Sequence, residues 1–136
     1  MSDLKLSAVE EILSTLARCS SLREGWVIDD RFNHVVMKVV SKDDLKVAWS
    51  TLEEVFPSGF EEASLSEASK EVRHLVNQMG GLRDDQYLFV KENGSGLLAF
   101  TAIWPWQNAP QASLRLGFSG VDRLEASVFE RLLVDS

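Results

Sequence analysis

The segment Gln86–Phe118 constrains the fold more than any other part of the chain. It holds three strand-like runs, Gln86–Lys91, Leu97–Trp104 and Ala112–Phe118. The middle run is apolar on both faces. Leu98, Phe100, Ala102 and Trp104 alternate with Leu97, Ala99, Ile103 and the amphipathic Thr101. Successive strand side chains point to opposite faces, so such a run must be covered on both sides. It is expected to be a central strand, or to reserve one face for a ligand or partner. Ala112–Phe118 instead alternates Ala112, Leu114, Leu116 and Phe118 with Ser113, Arg115 and Gly117, the pattern of a strand buried on one side. Asn93-Gly94-Ser95-Gly96 separates the first two runs, and Asn-Gly supplies the positive φ angles of a tight turn. Short turns join strands antiparallel, so a Rossmann-type parallel sheet is not expected.

Four segments carry helical periodicity. Leu6, Val9, Ile12, Leu13 and Leu16 share one face, and Ser7 with Glu10 has capping-box spacing, so this helix is expected to begin at Ser7 or one turn earlier. Ser41, followed by Asp43 and Asp44, opens a second helix with Leu45, Ala48, Trp49, Leu52, Val55 and Phe56 as its stripe, and Pro57 stops it. Ser64-x-x-Glu67 opens a third, which runs through Val72, Leu75, Val76 and Met79 to Gly80-Gly81. The fourth follows Ser119-Gly120, with Ser119 near the cap and Val121, Leu124, Val128, Phe129, Leu132 and Leu133 as its stripe. Two further runs, Trp26–Ile28 and Phe32–Val40, flank Asp29-Asp30-Arg31 as a short hairpin. The expected fold is one α+β domain over residues 1–136, a mainly antiparallel sheet of about five strands with four helices. Its order is helix, two strands, two helices, three strands, helix.

Composition narrows the function. A net charge of −7 and a pI near 4.8 oppose sequence-independent nucleic-acid binding and docking on anionic membranes. The single Cys19 cannot form an internal disulfide. Met1–Lys5 lacks the basic and apolar regions of a signal peptide, and no apolar run approaches a bilayer span, so a soluble cytoplasmic protein is expected.

No catalytic or cofactor signature stands out. The pairs Asp29-Asp30, Asp43-Asp44 and Asp84-Asp85 each have a local explanation in a turn, a helix start or a loop, and adjacent residues do not chelate from one face, so no metal site is expected. His34 and His74 lack a partner at zinc-ligand spacing. His34, expected mid-strand on the face of Phe32 and Val36, could pair with Asp29 or Asp30 across the hairpin, though an ordinary strand histidine is the simpler reading. Arg115–Gly120 runs from a strand into a helix and could receive an anion, but it lacks the Lys-Ser/Thr of a phosphate loop. No cofactor is expected.

Two features point to binding. Between residues 53 and 71 six Glu stand against one Lys, net −5 of the chain's −7. Phe56 and Phe60 interrupt these carboxylates, and Trp104-Pro105-Trp106 places two indoles on one side if the backbone stays extended, as a core plug or an exposed platform. Apolar anchors ringed by one sign of charge make a steered protein interface. The expected partner-binding residues are Glu53, Glu54, Phe56, Phe60, Glu61, Glu62, Trp104 and Trp106. The expected function is non-enzymatic: an inhibitor or immunity-type protein that occludes a basic partner, as monomer or homodimer. The alternatives are a secretion or assembly chaperone, or a small-molecule sensor using His34, Asp29, Asp30 and Arg31.

Overall fold

In the computed structural model, which describes residues 3–32, 34–92 and 96–135, a single antiparallel sheet organises the chain. The elements are α1 (Asp3–Leu16), α2 (Ser20–Arg23), β1 (Val27–Ile28), β2 (Val35–Ser41), α3 (Lys42–Val55), β3 (Ser58–Phe60), a 3₁₀ helix (Glu62–Glu67), α4 (Lys70–Gln78), β4 (Tyr87–Glu92), β5 (Leu98–Pro105), β6 (Gln111–Ser119) and α5 (Arg123–Asp135). Strand order is β1-β2-β6-β5-β4-β3, so the doubly apolar run is β5, inside the sheet, as its two faces require. Pro105 closes β5 opposite Ala112, where its missing N–H costs the ladder least.

The register separates the two faces. Val36, Leu116, Thr101 and Phe89 stand in one row across the sheet, and Val35, Gly117, Phe100 and Val90 in the neighbouring row point the other way. The first face packs under α1, α3 and α5, burying Ile12, Leu16, Leu52, Val55 and Leu133 with Leu114 and Leu116. The second meets α4 through Val72, Leu75 and Val76, which cover Leu88, Phe100 and Ala102. This roof covers β4, β5 and the Val35 end of β2. Toward β6, β2 and β1 the second face presents Ser113, Arg115, Met37, Val39 and Val27, of which Val39 and Val27 are exposed.

Several expectations need correction. The described residues contain six strands rather than five, because Ser58–Phe60, absent from the expected strands, pairs with β4. Gly59 makes that pairing possible: a β-carbon there would collide with the Tyr87 hydroxyl. The third helix is two elements. Ala68 is extended (φ −73°, ψ 159°), and Ser69 begins α4 afresh by accepting the Val72 N–H at 3.2 Å. A short extra helix, α2, follows Cys19. The hairpin connection is longer than Asp29-Asp30-Arg31, so Phe32 and His34 lie outside β2, and His34 has φ +60°. Ser119 does not cap α5. Asp122 does, its carboxylate accepting the Glu125 N–H at 2.8 Å while Glu125 accepts the Asp122 N–H at 3.1 Å. Ser41 caps α3 as expected, accepting the Asp44 N–H at 3.0 Å. The Asn93-Gly94-Ser95 turn lies outside the described residues.

Thr101 is the one place where the core carries a polar atom without a partner among the described residues. Its hydroxyl faces Leu116 and Phe89 beneath the helices. An unpaired buried hydroxyl costs about 1–3 kcal/mol. Thr101→Val keeps the shape and is expected to stabilise the fold by about 1 kcal/mol, read as a higher urea midpoint at unchanged m-value. A lower midpoint would show that the hydroxyl has a partner in solution.

Candidate functional surfaces

The expected binding residues fall on two different surfaces. Phe56 is only 2% exposed, stacked 6.1 Å from Phe89, so this ring is core and is not available to a partner. It ends up there because α3 closes over the sheet, its backbone N–H bonding the Leu52 carbonyl as the helix terminates. Phe60 is half-buried against the α4 cluster. Glu53, Glu54, Glu61 and Glu62 are exposed, as a charged rim must be.

The first surface forms where α3 ends beside the edge strand. Trp49 of α3 and Tyr87 of β4 are half-buried with ring centroids 4.9 Å apart, and Tyr87 lies 4.7 Å from Phe89. Burial pushes the Tyr87 hydroxyl above its ordinary pKa, and the negative charges of Glu61 and Glu53 push it further. Glu53 lies on α3 and Glu61 in the link between β3 and the 3₁₀ helix, and the charges of both bear on this one phenol. Glu54, the next residue along α3, pairs with Arg18 at 2.9 Å, both side chains being exposed. The result is a pair of half-buried aromatic rings with exposed carboxylates nearby, the chemistry that receives a Lys or Arg side chain.

The second surface is the open half of the other sheet face. Trp104 points to it from β5, half-buried. The Trp106 indole N–H donates to Ser113 Oγ at 2.8 Å, which brings it to the same side and leaves it 41% exposed. The pair is therefore neither wholly plug nor wholly platform. Trp104 anchors in the core, and Trp106 faces solvent. Arg115 lies 4.2 Å above the Trp104 ring, held by a 2.6 Å bond from its Nε to Asp29 Oδ2. Phe32 meets Trp104 edge-on at 5.8 Å, and Arg31 reaches both rings. The charged groups over the Trp104 ring are thus the guanidiniums of Arg31 and of Arg115, the latter paired with Asp29.

The residues considered for a polar pocket are dispersed. Asp29 is committed to Arg115 and to the Arg31 N–H, while His34 Nδ1 lies 3.2 Å from Glu130 on α5 rather than pairing across the hairpin. No group of three or more His, Cys, Asp or Glu side chains converges among the described residues. At the start of α5 the capping carboxylates of Asp122 and Glu125 occupy N–H groups that an anion would need, so the anion reading of Arg115–Gly120 fails there. Cys19 is buried, 3.2 Å from Ser21 Oγ. No described helix is long and apolar enough to cross a membrane.

Sequence reasoning placed neither Trp49, Tyr87 nor Arg115 in a binding surface, and it named Arg31 only for a sensor pocket with His34, Asp29 and Asp30. Arg115 carried a signal: an arginine on the polar alternation of an inner strand needs a carboxylate partner. Nothing in the sequence said that the partner would be Asp29. Compared with known proteins, the chain matches no protein-family model, no curated protein and no solved structure.

Proposed function

We propose that this chain is a protein-binding module that occludes a basic partner, as an inhibitor or immunity-type protein does, using the surface around Tyr87. The observation that carries this reading is the packing of Trp49 against Tyr87, 4.9 Å between ring centroids, beside the exposed carboxylates Glu53 and Glu61, whose charge raises the Tyr87 pKa. A cation placed there meets aromatic rings and nearby carboxylates, while Glu62 extends the negative field that steers encounter; Glu54 is already paired with Arg18. The net charge of −7 adds long-range attraction for a basic protein. A cytoplasmic location fits this role and belongs to the same proposal.

Affinity capture from the native host's lysate at low and moderate salt identifies the partner. Glu61→Lys with Glu62→Lys is then expected to slow association roughly tenfold or more at low salt, with the dissociation rate less affected. Exposed substitutions leave stability within about 0.5 kcal/mol, so the loss is not one of folding. Unchanged association at low salt removes this surface as the interface.

One observation favours a second reading, a chaperone or adaptor holding an extended segment: Val27, Val39 and Trp106 stand exposed on the unroofed sheet face. Trp106→Ala separates the two. It weakens binding in the chaperone reading and leaves the Glu61 and Glu62 effect untouched in the inhibitor reading.

A further inference from the structure

We infer that the cavity at the C-terminal end of α4 is a binding site for a carboxylate group, held by Arg31 and Arg83 beside Trp104. It is independent of the protein-binding reading. Trp104 faces the opposite side of the sheet from Tyr87, whose register partner is Ile103.

The cavity has a volume of about 230 Å³ and is lined by Arg31, Arg83, Gln86 and Trp104 together with the turn at Met79, Gly80 and Gly81. That is smaller than the usual site for a drug-sized ligand, and it accommodates a carboxylate with a few attached atoms. Among the described residues neither Arg31 nor Arg83 has a carboxylate within 4.0 Å, although Asp30, Asp84 and Asp85 adjoin them in sequence. Arg18 and Arg115, by contrast, each have one.

Arg31 is also positioned. The Arg31 guanidinium carbon lies 5.3 Å from the Phe32 ring and 5.5 Å from Trp104. Stacking restrains a guanidinium while leaving its in-plane N–H groups unpaired. Gln86 Oε1 accepts the Arg83 backbone N–H at 2.9 Å, which leaves the amide NH₂ of Gln86 as a further donor. Two guanidinium groups and an amide NH₂ suit an acceptor-only group with two oxygens. The C-terminal end of α4 contributes partial negative charge at the same place, which opposes a phosphate dianion more than a carboxylate monoanion.

The test follows the Trp104 indole N–H by NMR at constant ionic strength, its signal identified with Trp104→Phe. The probes are acetate, N-acetyl-diglycine, N-acetyl-diglycine amide and inorganic phosphate. The expected result is a saturable shift with acetate and the free-acid peptide and none with the amide. Arg31→Gln and Arg83→Gln are each expected to weaken the affinity about tenfold or more, while Arg18→Gln leaves it unchanged. Equal affinity for acetate and the peptide assigns the site to small carboxylates, and tighter peptide binding assigns it to a chain end. The inference is overturned by a shift that does not saturate, by equal response to the amide, by tighter binding of phosphate, or by full affinity in both arginine variants.

Discussion

Asp29→Ala is expected to cost about 3–5 kcal/mol of folding stability, the range for breaking a buried ion pair by removing one partner. Asp29 and Arg115 meet at 2.6 Å with side-chain exposures of 3% and 11%. Both charges are largely shielded from water, so removing the carboxylate strands a guanidinium against the Trp104 and Phe32 rings. The substitution also removes the acceptor for the Arg31 N–H, which tightens the turn after β1. Against a typical total of about 5–15 kcal/mol, such a loss leaves a marginal fold. Arg115→Met is expected to cost a similar amount by leaving the carboxylate unpaired. The double variant Asp29→Ala, Arg115→Met is expected to recover much of the loss, because no charge is then buried alone. Urea unfolding of the three variants decides the matter, and a loss below about 1 kcal/mol in Asp29→Ala would falsify the assignment.

The second large effect is expected at Gly120, where the chain leaves β6 for α5. Its φ of +77° lies in the left-handed region, and a β-carbon there would run into the carbonyl oxygen of Gly96. That obstacle is backbone and cannot rotate away. The conformational penalty of about 1–2 kcal/mol and the overpacking penalty of about 1–3 kcal/mol therefore add in Gly120→Ala. Gly80 provides the control. Its φ is +91°, but nothing lies within 4 Å of the position a β-carbon would take, so Gly80→Ala is expected to show the conformational penalty alone. Thermal or urea midpoints that fall equally in the two variants would mean that the Gly96 contact relaxes at no cost.

Local signals that act within one element were legible in the sequence. The Ser41 cap, the stop at Pro57, the closing glycines after α4 and the central place of β5 all follow from short-range rules of hydrogen bonding and side-chain alternation. The capping pair Asp122 and Glu125 was equally legible, since Asp-x-x-Glu stands in plain view, but the Ser-Gly just before it drew the boundary too early. The break at Ala68-Ser69 was harder, because a 3₁₀ turn and an α-helix share the same apolar spacing over so few residues.

What the sequence by itself determined is the class of object: an α+β chain whose core is an antiparallel sheet, with an acidic stretch at the surface. Periodicity and charge are local properties, and they suffice for that. Only the tertiary structure decided which side chains meet. It sent Phe56 into the core and left Trp106 outside it. It brought Trp49 against Tyr87, and Asp29 to Arg115 across 86 residues of chain. Those encounters depend on strand order and on which half of each sheet face a helix covers. Neither is written in the spacing of residues along any one segment.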